Sequence, residues 1–367
     1  MTESIDPGSP PDFKAEQRRS VALFVATFGC VFAVYGFQWT GENPFIEPES
    51  AVAAGKFAGA LMAILLAHEM AHYWVARRHG FALSLPYFIP FPAAFGTFGA
   101  VIRLRSLPPS RTALLEMAAA GPIAGFVVSI AAIAMGLPGT VEHAAPELTW
   151  DPAILEALRA PVPEPSAMDA VLTRVSEWTG ASVGATEIPL MILANPLVMD
   201  LLGGWMLDAP PSRYATLDPL ATAGWVGCLL TAINLVPIGQ LDGGHIVNAM
   251  APRWAGGTSR VLLGAAVVAG VLWTGWAFWA VLLVVMGAWV SLPVPAEPPP
   301  SSRARWIAGA TAITFGLSFM PAPIVIEGFQ LDQLAWVNAD GEAVAAEVID
   351  ELRAAMADRL DRQPAGR

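Results

Sequence analysis

Cysteine is almost absent: only Cys30 and Cys228 occur, each inside an apolar run, which excludes a disulfide framework and a thiolate-built zinc site. Charge is scarce too. Only 14% of residues are charged against 55% that are hydrophobic, whereas a soluble chain carries about 25% charged residues, so the balance is that of a membrane protein. The charge present leans acidic, 31 Asp and Glu to 20 Lys and Arg. No basic stripe suited to a nucleic-acid backbone is present, and nucleic acid is not expected as a partner. The opening MTESIDPGSPPDFKAEQRRS lacks the basic start and immediate apolar core of a cleaved signal peptide. The first apolar segment is therefore expected to stay as an uncleaved anchor. No internal repeat of fixed period is visible.

Long apolar runs, by contrast, are plentiful. A span takes about 20 mostly apolar residues, and stretches at roughly 20–39, 51–75, 112–136, 217–236, 261–274 with 275–292 as a tight pair, and 306–320 qualify. The last three are short, so six to eight spans are expected. Short cytoplasmic loops collect Lys and Arg. Alternating the spans from a cytoplasmic N-terminus places Arg18, Arg19, Arg77, Arg78, Arg103, Arg105, Arg111, Arg253, Arg260, Arg303 and Arg305 all on that side. The loops at 40–50, with Glu42, Glu47 and Glu49, and at 137–215 then lie on the opposite face.

Residues 81–102 are apolar but carry Pro86, Pro90, Pro92, Gly96 and Gly99, which would break a straight helix repeatedly. A re-entrant or β-hairpin element beside a cavity is expected, because irregular backbone at membrane depth must be covered by protein or line a wet cavity. Residues 183–206 are apolar enough to lie on the membrane surface or to form an extra span. PVPAEPPPSS, 293–302, reads as a stiff polyproline linker, and EAVAAEVIDELRAAMADRLDRQ as a solvated amphipathic helix. The expected fold is thus an all-α polytopic membrane protein of about six to eight transmembrane helices with a small membrane-associated re-entrant or β-hairpin element. It divides into a polar tail (1–19), a membrane domain (20–320, core about 55–250, outer loop 137–215) and an acidic amphipathic tail (321–367).

The run FAGALMAILLA, 57–67, could sit in lipid, yet it leads straight into His68, Glu69, Met70, Ala71 and His72. An ionisable group deep in a span costs about 2.5 to 3.5 kcal/mol on insertion scales, so such residues mark a function by default. On a helix His68 and His72 share one face, where two imidazoles can reach one metal. Glu69 is the adjacent carboxylate able to take a proton from metal-bound water, and His-Glu-x-x-His on a helix is the zincin arrangement. A catalytic zinc needs a third protein ligand and an open position for water. In NLVPIGQLDGGH an apolar span meets Pro237, and Asp242 follows within a break made by Gly239, Gly243 and Gly244, which lets Asp242 face a cavity rather than lipid. Asp242 is assigned as the third ligand; the competing reading is an ordinary helix end with an Asp-Gly turn at the membrane surface.

HEMAH in the second span and NLVPIGQLDGG in the fourth together resemble the site-2 protease family of intramembrane zinc metalloproteases, whose pattern joins His-Glu-x-x-His to a distant Asn-x-x-Pro and Leu-Asp-Gly. FGTFGAVIRLRS and AAAGPIAGF resemble the family's strand segment and Gly-Pro helix. The resemblance runs from about 55 to 250, most of all to the branch that includes plant chloroplast members. It implies one Zn2+ per chain held by His68, His72 and Asp242, Glu69 as catalytic base, and Asn234 contacting substrate or polarising the scissile carbonyl. A helix-packing amide is the other reading of Asn234. No PDZ insertion or CBS pair is recognisable. The implied substrate is a membrane protein with a transmembrane segment, which for a bacterial member would be an anti-sigma factor or tethered regulator. The expected location is the bacterial cytoplasmic membrane, with the active site toward the cytoplasm.

Because three ligands are already supplied, His245 is read as a supporting or surface residue, His79 as interfacial and His143 as part of the outer loop. Gly121 and Gly125 form a small-x-x-x-small pair that lets helices approach closely, a packing feature. Two other functions compete with hydrolysis: a divalent-cation transporter with these residues as its transit site, although the repeated halves usual in transporters are not visible, and an inactive relative that binds membrane clients. A substrate helix must unwind before its carbonyls can be attacked, and the FGTFG element is expected to offer a strand edge to it by β-augmentation. Replacing Thr97 or Phe98 with proline is therefore expected to abolish cleavage while zinc content is retained; undiminished cleavage would remove the strand-edge role.

Overall fold

Backbone in hydrocarbon has no water to bond, so apolar runs that enter it become helices, which satisfy their N–H and C=O groups internally. The computed structural model describes residues 13–159, 188–272, 298–330, 333–338 and 342–361, together with 280, 281, 284, 294 and 295. Among these, three helices are long and apolar enough to cross a membrane. They are α1 (Phe13–Val34), which continues as a π-helical turn to Thr40, α2 (Pro48–Arg78) and α3 (Arg111–Gly136). Pro48 opens α2, where its missing N–H would have had no helical partner. Ser110 caps α3 by accepting a hydrogen bond from the Ala113 N–H at 3.1 Å.

Between α2 and α3 the proline-broken stretch forms β1 (Tyr87–Pro90) and β2 (Thr97–Val101), an antiparallel pair with Phe88 opposite Ala100. The pair is fastened to α1 at both ends. At its base Glu16, buried, accepts from the Leu85 N–H at 2.7 Å and from Arg105 at 2.9 Å, while the Ser20 hydroxyl donates to the Pro86 carbonyl. At its tip Gly96 has φ +82° and lies so close to α1 that a Cβ there would stand 2.4 Å from Val31 Cα, so only glycine fits.

Beyond α3 come β3 (Glu147–Thr149), α4 (Pro152–Arg159), β4 (Ile188–Leu193) and α5 (Leu197–Met206). The chain then enters α6 (Pro219–Leu235), α7 (Asp242–Met250), α8 (Pro252–Leu272) and α9 (Ser302–Ser318), and closes with β5 (Ile324–Phe329), β6 (Ala335–Val337) and α10 (Ala346–Asp361). The chain is mostly helical, but the all-α reading needs correction outside the helical core. β4 pairs antiparallel with β5 and β3 pairs parallel with β6, so the 137–215 loop and the 321–367 tail share one small α/β unit. Ile192, Phe329, Leu334, Trp336 and Leu352 form its buried centre. Residues 188–206 are thus a strand followed by a 10-residue helix, and among the described residues of the tail the α-helix covers 346–361. The second member of the expected tight pair, 275–292, lies outside the described residues apart from 280, 281 and 284, as do 1–12, 160–187 and 362–367.

Small residues let the central helices touch. A Cβ at Gly224 of α6 would stand 2.6 Å from the Ser129 carbonyl of α3, and one at Gly227 would stand 2.2 Å from the Ser129 hydroxyl. Trp225 is wholly buried there, and its indole N–H donates to the Ala194 carbonyl at 2.7 Å, which ties the α/β unit to the core. At the other end of the core, Arg111 of α3 is 8% exposed and donates to the Ala249 carbonyl at 2.6 Å and the Met250 carbonyl at 2.7 Å. It closes the C-terminus of α7, where unpaired carbonyls favour a cation. Arg111→Met should cost about 2–4 kcal/mol, because two carbonyls lose a charged donor, and Arg111→Lys should cost less. Unfolding of the purified protein in detergent measures this; an unchanged midpoint for Arg111→Met would remove the clamp.

Candidate metal centre

Four-residue spacing on α2 brings the imidazoles of His68 and His72 together, with their Nε2 atoms 3.0 Å apart. Oδ2 of Asp242, the first residue of α7, lies 3.3 Å from each. All three side chains are largely buried, and their donor atoms lie within 4.8 Å of one another. A tetrahedral zinc with bonds of about 2.0–2.1 Å would hold its ligand atoms about 3.3–3.4 Å apart, close to the spacing found. The tautomer fits as well. His72 Nδ1 stands 2.8 Å from the Met117 carbonyl of α3, which can only accept, so Nδ1 carries the hydrogen and Nε2 presents its lone pair. In the neutral ring the Nε2 lone pair is then available to a metal ion beside the Asp242 carboxylate.

Two glycines of α3 make room for these rings. A Cβ at Gly121 would lie 2.1 Å from His72 Nε2, and one at Gly125 would lie 3.2 Å from His68 Nδ1. The Gly121 and Gly125 pair, read from sequence as packing, packs specifically against the two histidines. Met117 carried no signal in the sequence, because its contribution is a backbone carbonyl.

Asp242 returns to α2 because the chain folds tightly between α6 and α7. Gly239 adopts φ +46°, and a Cβ at Gly243 would lie 2.0 Å from the Leu235 carbonyl oxygen. The Gly239 N–H donates to the Ser259 hydroxyl of α8 at 2.9 Å, and Ser259 in turn donates to Ala255, which fixes the loop. Asp242 in the first turn of α7 also sits where a helix favours negative charge.

Glu69 is 7% exposed and within electrostatic range of His68, His72 and Asp242. Asn234 stands half-buried in the last turn of α6, and no described contact joins its amide to the three donors. His245, one turn after Asp242, is buried rather than at the surface. The remaining histidines are held elsewhere: His79 Nε2 lies 2.9 Å from Glu116, and His143 lies 2.7 Å from Glu147 and 3.0 Å from Thr216.

The family model of peptidase family M50 matches residues 56–278. Among curated proteins, the probable zinc metalloprotease EGY1, chloroplastic, of Arabidopsis thaliana is 28% identical over 245 residues, covering 65% of this chain and 37% of that protein. The rice protein of the same name (Oryza sativa subsp. japonica) is 29% identical over 65% of this chain and 35% of its own length. The probable zinc metalloprotease EGY2, chloroplastic, of Arabidopsis thaliana is 29% identical over 62% and 34%. The chain thus spans little more than a third of the length of these relatives. No solved structure matches it significantly.

The two glycines should respond unequally to an added methyl group. Gly121→Ala drives carbon into the His72 ring and is expected to abolish stoichiometric binding of a divalent metal, whereas Gly125→Ala, which asks His68 to give by only a few tenths of an ångström, should weaken it only several-fold. Metal content by atomic absorption after dialysis against a weak chelator distinguishes them; equal retention by both would show that the α2–α3 approach does not control the site.

Proposed function

Because the chain belongs to peptidase family M50, whose matched segment contains His68, Glu69, His72, Asn234 and Asp242, we propose that it is an intramembrane zinc endopeptidase that cuts membrane proteins in or near their transmembrane segments. The observation that carries this reading is the meeting of two imidazole nitrogens and a carboxylate oxygen at 3.0–3.3 Å inside a helical core. His68, His72 and Asp242 would hold the ion. Zinc, when bound, lowers the pKa of a coordinated water toward about 7 and polarises the scissile carbonyl.

The chain's own residues do the rest. Glu69 takes the proton of the attacking water and delivers it to the leaving amine. The Met117 carbonyl keeps His72 in the ligating tautomer. Asn234 offers its amide N–H to the scissile carbonyl. The β1–β2 pair presents a strand edge on which an unwound substrate can lie. Thr97 is buried and its hydroxyl already donates to the Ile89 carbonyl, while Phe98 is 51% exposed and outside the ladder with β1. Phe98→Pro is therefore the cleaner probe of that edge.

Three candidate spans place the chain in a membrane, and we propose six to eight in all, with α6, α8, α9 and the stretch 275–292 as the further candidates. Trp74, Trp254 and Trp306 are all exposed and stand beside the arginines of α2, α8 and α9. Trp and Arg together mark a cytoplasmic-type interface, and His72 lies within two turns of it. The α/β unit then occupies the opposite face, with the membrane domain at 20–320 and the 321–367 tail docked on the outer loop. The relatives named above are chloroplast proteins, so the orientation is carried forward rather than a bacterial membrane in particular. The comparisons do not favour the cation-transporter or inactive-relative readings.

Glu69→Gln preserves shape but cannot accept the proton. It is expected to retain zinc and to lower turnover by at least about 100-fold. Wild type and variant, each with zinc content measured, would be incubated with single-pass segments containing helix-breaking residues and the products read by mass spectrometry. Cleavage within the membrane segment by wild type alone supports the protease; zinc-loaded wild type that cuts nothing in the panel, together with metal flux in vesicles, would replace it with transport.

A further inference from the structure

His245 is the buried imidazole that the metal reading leaves unused. It follows Asp242 by three residues on α7, so the two side chains project from one face of that helix. It is 7% exposed, and its Nδ1 is sealed from solvent without any hydrogen-bond partner. Buried polar atoms almost always find a partner. An unpaired nitrogen beside a reaction centre points to a partner that the chain itself does not contain.

The position limits what that partner can be. The donor atoms that converge come from His68, His72 and Asp242, and a fourth protein ligand would close the place a hydrolytic water needs. His245 nevertheless lies within electrostatic range of both Asp242 and His72. It stands outside the ligand set, on the helix that carries Asp242. The backbone is closely packed there: the His245 N–H donates to the Leu241 carbonyl at 2.9 Å, and Gly244 lies so near the Gly239 carbonyl oxygen that a Cβ would stand 2.4 Å from it.

Resting on the protease reading above, we propose that His245 is a catalytic residue that donates a hydrogen bond from Nδ1 to the scissile carbonyl oxygen as that oxygen becomes negative. The imidazole stays neutral throughout and transfers no proton; Glu69 carries the proton, and His245 supplies a fixed dipole where charge develops. Sited in the Asp242 helix, it would complement Asn234, which approaches from the end of α6. The ligand class is a peptide carbonyl on its way to a tetrahedral geometry, which predicts stronger contact with the transition state than with the bound substrate.

The test uses the full chain in detergent, with His245→Leu to delete the donor and His245→Gln to restore one. The substrate is a synthetic single-pass peptide whose apolar segment is interrupted by Asn-Pro, and the probe is the same peptide with a phosphonate at the cleaved bond. His245→Leu should keep one zinc per chain and a KM within about twofold of wild type, while kcat and phosphonate affinity each fall about 100-fold. His245→Gln should recover part of both losses. Unchanged kcat and phosphonate affinity in His245→Leu, beside an active wild type, would overturn this inference and leave the protease reading standing. Loss of zinc in His245→Leu would overturn it in favour of a structural role, and a zinc-loaded wild type that neither cleaves the peptide nor binds the phosphonate would overturn both readings.

Discussion

A carboxylate from one helix and two imidazoles from another meet with their donor atoms 3.0–3.3 Å apart inside a helical core, where burying such polar groups costs free energy unless they partner one another or an ion. Much of the core serves to enforce that meeting. α3 approaches α2 through Gly121 and Gly125 instead of larger residues, and lends the Met117 carbonyl to His72. Arg111, at the start of the same helix, holds the far end of α7, the helix that Asp242 opens. One element therefore sets both the ring positions and the carboxylate's helix. The glycines between α6 and α7 complete the frame by letting the chain fold back on its own carbonyls.

Much of this was legible in the sequence. The His-Glu-x-x-His run is costly in an apolar helix, and the Asp-Gly-Gly break is equally out of place at the end of another, so both stand out without coordinates. The prolines and glycines between 81 and 102 likewise ruled out a straight helix. What stayed hidden was non-local or carried by the backbone. Nothing in IPLMIL, with Pro189 and no alternation, marks it as a strand, and its partner Ile324–Phe329 lies far along the chain. Arg111 read as a marker of membrane side, because a buried guanidinium on helix carbonyls looks no different in sequence from one in a loop. His245 read as a supporting or a surface residue, and its burial leaves the first.

The α/β unit meets the helical core through Leu193 and Ile324, which pack on the main apolar cluster, and through Trp225. Trp225 bonds the Ala194 carbonyl at the end of β4 and packs with its ring 6.3 Å from that of Phe95, in the loop between β1 and β2. Phe95 in turn meets Trp39, whose indole N–H donates to the Ala94 carbonyl. A continuous run of aromatic contacts thus joins the face with the strands of the tail to the hairpin mounted on α1. The ion pairs Arg159–Glu351 and Arg213–Glu327 fasten the tail to the outer loop, but both are about half exposed and contribute little by themselves. The apolar centre around Trp336 and Leu352 is what holds the unit together.

The support that His72 takes from position 117 has a consequence for how such a centre changes over generations. A carbonyl oxygen is present whatever side chain the residue bears, so methionine there can be exchanged for any residue the helix tolerates without touching the contact. Replacing side chains one at a time would report on the packing of the buried Met117 side chain and leave its carbonyl contact untested, and a search for residues that stay the same between relatives would miss that contact too. The contact is inherited through the shape of α3, and only a change that bends or rotates that helix, such as an insertion of one residue before Gly121, would take it away.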